Sequence, residues 1–154
     1  MGALLIVNPH ASQVSEELVE RVVAELPSGL DVARTSGPGD ATAIAREREA
    51  TVDAIYVLSG DGTYNEVLNG VEGRVPLGFL PGGGTSVLPR ALGLGREATA
   101  AARLVGRGAT RRIGLGRVNG RRFAFNAGIG FDAELVRRID EQGRADDGRR
   151  PGDA

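Results

Sequence analysis

Three turns, each after a short apolar run, carry residues suited to binding phosphate. Their sequences are Asn8-Pro9, Gly60-Asp61-Gly62-Thr63 and Gly82-Gly83-Gly84-Thr85. Glycines let backbone N–H groups approach a phosphate closely, and the two threonines can cap following helices whose N-termini favour anions. Asp61 would repel a bare phosphate, but its carboxylate suits Mg²⁺, which takes carboxylate, water and phosphate oxygens. One Gly-Asp-Gly turn is more often a tight turn than a nucleotide site. Two such turns that both end in threonine are harder to dismiss, but their spacing alone leaves both phosphate binding and tight-turn geometry open.

The elements that would position these turns alternate between strand and helix four times. Apolar runs at 3–7, 30–34, 54–58 and 77–80 predict strands, and residues 14–26, 41–50, a short stretch ending near Gly70, and 98–105 predict helices. This alternation predicts an α/β fold, a parallel β-sheet with helices on both faces. Because ligands of such sheets bind at the carboxyl ends of the strands, the three turns are expected at one edge.

The pattern changes after residue 109. Residues 111–118 and 121–127 predict two strands joined by Asn119-Gly120, a strong two-residue hairpin signal. Leu135, Val136 and Ile139 indicate one further helix, and the polar, glycine-rich residues 143–154 are expected to be disordered. An isolated hairpin is only marginally stable. The hairpin is therefore expected either to pack on the first sheet or to begin a second domain.

Composition excludes several classes of function. The 154 residues suffice for one domain, and 19 basic against 20 acidic residues argue against a nucleic-acid partner. Without cysteine the chain has no disulfide, thiolate zinc site or cysteine nucleophile, and one histidine, His10, leaves little room for a catalytic triad. All basic residues are arginine, which excludes a Walker-type phosphate loop. No signal peptide or spanning segment is recognised, so a cytoplasmic protein is expected.

Three segments resemble one known family. The segment Ser59–Gly70 resembles the Gly-Gly-Asp-Gly-Thr signature of the diacylglycerol kinase catalytic domain family, which includes bacterial lipid kinases and sphingosine kinases. Residues Leu80–Gly93 are similar to its second, glycine–threonine motif, and Phe125–Val136 are similar to the motif where its second domain begins. The resemblance covers about residues 3–140, with the three motifs in order.

The resemblance implies an ATP- and Mg²⁺-dependent kinase that transfers the γ-phosphoryl group of ATP to a lipid hydroxyl, with diacylglycerol the expected acceptor and phosphatidic acid the product. It implies that Asp61 is the catalytic and metal-binding residue, buttressed by Asn65 and Glu66. A lipid substrate would place the protein peripherally at the inner membrane surface. The nucleotide-binding residues that it implies are Asn8, Thr35, Ser59, Gly60, Asp61, Gly62, Thr63, Asn65, Glu66, Gly83, Gly84 and Thr85.

The same resemblance divides the chain into three parts. Residues 1–109 would be the nucleotide-binding catalytic domain, residues 110–142 the first hairpin and helix of a truncated β-sandwich domain, and residues 143–154 a disordered tail. In the family that sandwich carries an acidic pair, one member of which would deprotonate the lipid hydroxyl, so the general base is expected outside this chain. A complementing second domain, or a second copy of the chain, is the partner expected for the exposed hairpin.

The sequence departs from the family pattern at three places and leaves alternatives open. After Pro9 the family usually has a serine and a glycine, whereas this chain reads His10-Ala11-Ser12. Ser59 replaces a family glycine, and Ser86-Val87 replaces an asparagine–aspartate pair. NAD kinases share a similar Gly-Gly-Asp-Gly turn, and a fragment that binds nucleotide without turnover is a second alternative. The window 98–131 holds seven arginines and no acid, which suits anionic lipid headgroups but is better explained by solvated strand faces. Tyr64, directly after the Asp61 turn, is expected to be partly exposed.

Overall fold

The computed structural model describes residues 2–131 and 133–138. A four-stranded sheet is followed by a two-stranded hairpin, and five α-helices and one 3₁₀ turn connect the strands. The strands are β1 (Gly2–Val7), β2 (Leu30–Arg34), β3 (Val52–Ser59), β4 (Leu77–Pro81), β5 (Gly116–Val118) and β6 (Arg121–Phe123). The helices are α1 (Glu16–Glu25), α2 (Asp40–Arg48), α3 (Asp61–Gly70), α4 (Val87–Ala91) and α5 (Ala98–Val105), and the 3₁₀ turn spans Glu49–Thr51.

All four strands of the main sheet are parallel, in the order β2-β1-β3-β4. The register aligns their carboxyl ends, since Val7 lies opposite both Arg34 and Leu58, and Ser59 lies opposite Pro81. The chain moves outward from β1 to β2 and then returns to β3 on the other side. The strand order thus reverses between β1 and β3, which is where ligands of open α/β sheets bind.

Helices cover both faces of the sheet, as the sequence predicts. On one face α1 and α5 pack with Leu5, Val7 and Leu58; on the other, α2, α3 and α4 pack with Leu4 and Ile6. Residues 4–7 and 55–59 are buried without interruption because both faces of β1 and β3 are covered. The predicted α/β fold class is confirmed.

The hairpin after residue 109 is shorter than the sequence predicts. Asn119 and Gly120 both adopt positive φ angles, 48° and 81°, as a two-residue type I′ turn requires. Only three residues pair on each side of that turn. Glycine at 114 and 116 weakens the strand tendency of the preceding segment, and the ring of Phe123 occupies the space where a side chain at Gly116 would project.

The chain after the hairpin is helical at residues 133–138, in agreement with the helix predicted around Leu135 and Val136. Ile139 and the tail 143–154 lie outside the described residues. The division into domains at residues 109 and 142 stays a prediction. Within the part of the chain that the structure describes, no helix has the length and apolar character needed to cross a membrane.

Candidate functional site

The crevice between β1 and β3 is bridged by side chains from the turns that follow these strands. The Asn8 side-chain amide donates to the Thr63 hydroxyl at 3.2 Å, and the Ser59 hydroxyl donates to the same oxygen at 2.8 Å. The Asn8 side chain is oriented in turn by the backbone N–H of His10, which donates to the side-chain carbonyl oxygen of Asn8 at 3.0 Å. Two predicted turns are therefore joined at the point where the strand order reverses.

Asp61 joins the second and third turns. Its carboxylate accepts the backbone N–H groups of Val87 at 2.9 Å and of Leu88 at 3.0 Å, the first residues of α4. These N–H groups have no partner inside their own helix, so Asp61 serves as a cap supplied from a distant part of the chain. Each carboxylate oxygen keeps a second lone pair for another ligand.

The two glycine turns approach each other closely enough to require glycine. A Cβ atom on Gly83 would lie 2.8 Å from the Cα atom of Gly60, and the Gly82 N–H donates to the Ser59 carbonyl at 2.7 Å. Ser86 closes the third turn with a positive φ of 43° and exchanges hydrogen bonds between its hydroxyl and the Gly83 backbone. Sequence reasoning treated Ser86 only as a departure from the family pattern and missed this role.

A cavity of about 590 Å³ lies over this edge of the sheet, and we call it the large cavity. Every predicted nucleotide-binding residue except Asn65 lines it. These are Asn8, Thr35, Ser59, Gly60, Asp61, Gly62, Thr63, Glu66, Gly83, Gly84 and Thr85. Residues that the prediction omitted also contribute, namely His10, Ala11, Ser12, Gly37, Pro38 and Ser86. They could have been found from their positions, since they lie in the loops that follow β1, β2 and β4.

Asn65 faces a different space. With Leu68 and Phe123 it lines a second cavity of about 250 Å³, which we call the small cavity. Asp61 and Gly62 line both cavities and form the wall between them. Asn65 directly precedes Glu66 on α3, and neighbouring helical residues point about 100° apart, so Asn65 lines the small cavity while Glu66 lines the large one.

Asn65 and Glu66 were predicted to support Asp61, but their hydrogen bonds go to other residues. The Glu66 carboxylate accepts the Gly39 N–H at 3.1 Å, and its backbone carbonyl accepts the Thr42 hydroxyl at 3.0 Å. Both contacts tie α3 to α2. The Asn65 carbonyl accepts the Asn69 side-chain amide at 2.7 Å, within α3 itself.

Helix capping by the two threonines was predicted wrongly. The residue preceding α3 is Gly60, so Thr63 lies inside the first turn, where its hydroxyl contacts Asn8 and Ser59. The residue preceding α4 is Ser86, so Thr85 lies outside the helix. Helix α3 begins at Asp61, before Thr63, and helix α4 begins at Val87, after Ser86, whereas the sequence predicted that a helix would start directly after each threonine.

Tyr64 is fully buried, in contrast to the expected partial exposure. Its hydroxyl oxygen lies 2.5 Å from the Ser59 carbonyl and 2.6 Å from the Leu80 carbonyl, at the ends of β3 and β4. Burial raises the pKa of this phenol above its usual range. Tyr64 is therefore a neutral donor that fixes the two strand ends beneath the glycine turns.

These groups suit an anion bound together with a cation. The first N–H groups of α3 lack helical partners and carry the positive end of the helix dipole. Among residues 2–131 and 133–138 no cluster of three or more histidine or acidic side chains is present that could hold a metal alone. Mg²⁺ commonly binds through one or two carboxylates plus substrate phosphates. Asp61, with lone pairs to spare on the wall of the large cavity, fits that kind of shared site.

Comparison with known proteins assigns the chain to a family. The model of the diacylglycerol kinase catalytic domain matches residues 2–118. A diacylglycerol kinase from Bacillus subtilis is 43% identical over 107 residues, which are 66% of this chain and 35% of that protein. A diacylglycerol kinase from Staphylococcus saprophyticus is 33% identical over 132 residues, which are 79% of this chain and 42% of that protein.

A solved structure agrees with this assignment. The crystal structure of a diacylglycerol kinase from Bacillus anthracis superposes with a TM-score of 0.73 at 32% identity, over 79% of this chain and 49% of that one. The chain thus spans less than half the length of these relatives. Since the family match covers most of the chain and includes the three turns at the carboxyl edge of the sheet, the chain belongs to the diacylglycerol kinase catalytic domain family.

Proposed function

We propose that this chain binds Mg-ATP in the large cavity and supplies the phosphoryl-donor half of a lipid kinase. The observation that carries the proposal is the joining of the two glycine turns by Asp61 at the carboxyl edge of the sheet, where the strand order reverses. Family membership supports kinase chemistry, and the relatives named diacylglycerol kinase favour diacylglycerol as the acceptor.

The nucleotide's phosphates would lie between the N-terminus of α3 and the Gly83–Thr85 turn. Backbone N–H groups of Gly62 and Thr63 would donate to phosphate oxygens there. Because Gly60 and Gly83 lie in close contact and have no side chains, their main-chain atoms would face the ligand directly. Thr35 and Glu66, at the β2 side of the large cavity, would contact the rest of the nucleotide.

Mg²⁺, when bound by Asp61 and the phosphates, would neutralise charge on the transferred group. Catalysis of phosphoryl transfer consists mainly of positioning and electrostatic stabilisation, which fits a site built from turns and helix ends. Asp61 would have two roles, because the carboxylate that binds the cation also accepts the N–H groups at the start of α4 and so fixes that helix. We place the general base and the remaining acceptor site in the part of the relatives that this chain does not span.

Nucleotide binding without turnover is the second candidate function. The lining of the large cavity favours it, because the roles proposed for these residues all concern the nucleotide and none concerns an acceptor. In both cases the large cavity holds the nucleotide. The two candidates differ only in whether an acceptor is phosphorylated.

A transfer assay separates the candidates. The chain would be incubated with Mg-ATP labelled at the γ-phosphate and vesicles containing diacylglycerol, alone and with the separately produced second half of the Bacillus subtilis relative. Labelled phosphatidic acid in either mixture, absent from the second half alone, supports the kinase proposal. Binding of Mg-ATP with no product in either mixture supports binding without turnover, and no binding contradicts both candidates.

A further inference from the structure

The side chain of Asn69, near the end of α3, pairs with the main chain of Arg122 in β6. Its carbonyl oxygen accepts the Arg122 N–H at 2.8 Å, and its amide nitrogen donates to the Arg122 carbonyl at 3.0 Å. These residues are 53 positions apart in the sequence. One side-chain amide therefore makes the two hydrogen bonds that a neighbouring strand would make.

The hairpin presents an open edge at this position. Arg122 lies opposite Arg117 in the antiparallel pair, and its N–H and carbonyl are both directed to Asn69 instead of β5. Unpaired strand edges are costly to bury, and a two-stranded hairpin is marginal without further packing. The Asn69 side chain hydrogen-bonds the N–H and the carbonyl group of Arg122 at this edge and so attaches the hairpin specifically to α3.

The Arg122 guanidinium makes a second attachment. It donates to the Leu68 carbonyl at 3.1 Å and to the Val71 carbonyl at 2.7 Å. Carbonyl groups at a helix C-terminus lack helical partners, and a cation is favoured at that end of the helix dipole. The hairpin therefore contacts the C-terminal end of α3, the helix whose N-terminal end begins at Asp61.

This attachment shapes the small cavity. Residues Phe123–Asn126, which continue directly from Arg122, line one side of it, and α3 residues from Asp61 to Leu68 line the other. We propose that Asn69 is a positioning residue that docks the hairpin on α3 and thereby fixes the wall of the small cavity beside Asp61. Under the proposed function, on which this part of the inference rests, that wall stands next to the transferred phosphoryl group.

Hydrogen exchange measured by NMR tests the docking without any activity. In N69A the exchange protection of the Arg122 amide should fall about tenfold or more, because both hydrogen bonds between the Asn69 side chain and the Arg122 main chain are lost. Protection of the Gly82 amide, which donates to Ser59, should change by less than about twofold. Unchanged protection at Arg122 would overturn the proposal. Parallel loss at Gly82 would also overturn it, since Asn69 would then serve the fold as a whole.

A matched control is T51V. It removes one side-chain hydrogen bond to backbone, from the Thr51 hydroxyl to the Arg48 carbonyl, at the opposite end of β3. This variant should leave Arg122 as protected as in the unsubstituted chain. Loss of protection at Arg122 in T51V would show that the hairpin responds to any weakening of the domain, and would contradict a specific role for Asn69.

The transfer assay tests the positioning role. N69A should lower kcat or raise the KM for diacylglycerol vesicles, while the Kd for Mg-ATP stays within about twofold. Unchanged transfer kinetics in a variant whose hairpin has lost protection would overturn that role. If the unsubstituted chain, with or without the second half, transfers nothing, the kinase proposal fails, and the exchange measurements still decide whether Asn69 docks the hairpin.

Discussion

The carboxylate of Asp61 accepts the backbone N–H of Val87 at 2.9 Å, across 26 residues of sequence. The acid at the centre of the candidate site is therefore also a structural residue, because it caps α4 and ties the second glycine turn to the third. A substitution of Asp61 changes both the charge facing the large cavity and the position of the Gly83–Thr85 turn. Experiments on this residue need a measurement made without nucleotide.

Removal of the Asp61 carboxylate should destabilise the chain in the absence of any ligand. D61A is expected to lower the free energy of unfolding by about 1 kcal/mol, the usual cost of losing a helix cap. Thermal denaturation without nucleotide measures this change. D31A is the control, because the ion pair between Asp31 and Arg48 is exposed and such pairs contribute little. Equal stability of D61A and the unsubstituted chain would contradict the cap.

The close approach of Gly83 to Gly60 predicts a steric penalty at one glycine and none at another. G83A should lower the free energy of unfolding by about 1–3 kcal/mol, because its Cβ would meet backbone 2.8 Å away. In G37A the new methyl group enters open space on the same edge of the sheet, so stability should hold or rise slightly. Denaturant unfolding of both variants checks the contrast. Equal effects would show that the two turns are not in contact.

Glu49 provides a pH-dependent contribution to stability at the opposite end of β3. Its buried carboxylate accepts the N–H groups of Glu72, Gly73 and Arg74, each at 2.8 Å. Burial raises the pKa of this carboxyl, but the three donors outweigh burial, and the net pKa lies below its usual range. A lowered native pKa means that the ionised form stabilises the fold above the unfolded pKa and that this contribution is lost as pH falls.

E49Q should therefore cost about 1.5–3 kcal/mol of unfolding free energy at neutral pH, the range for hydrogen bonds to a charged group. The difference from the unsubstituted chain should shrink as the pH falls below about 4.3, the unfolded pKa of glutamate. Urea unfolding at several pH values measures it. E72Q, which changes an exposed carboxylate, should show almost no loss. A difference that stays constant with pH would contradict the role of ionised Glu49.

The sheet and the edge that carries the site could be predicted because they depend on local patterns. Uninterrupted apolar runs such as Leu4–Val7 indicate strands buried on both faces, and a parallel sheet brings every turn after a strand to one edge. The Asn119-Gly120 turn was predictable for the same reason, since its residue types fix its backbone angles.

One error concerns a relationship that no local pattern specifies, and another concerns a local pattern that was misread. Helix α4 has five residues, includes Pro89 and is capped by Asp61 from another turn, so the sequence near it gives no helical signal. Tyr64 was expected at the surface because it follows a ligand-binding turn. Its helical spacing to Val67, Leu68 and Val71, at i+3, i+4 and i+7, places it on the buried face instead.

The central claim, that Mg-ATP binds in the large cavity, is tested most directly by an NMR titration of the unsubstituted chain with ATP in the presence and absence of Mg²⁺. We predict saturable shifts that are largest at the amides of Gly60–Thr63 and Gly83–Ser86, and clearly tighter binding with Mg²⁺. Amides near Glu49 serve as the internal control and should not move. No saturable shifts with Mg-ATP, or shifts concentrated away from these two turns, would contradict the account.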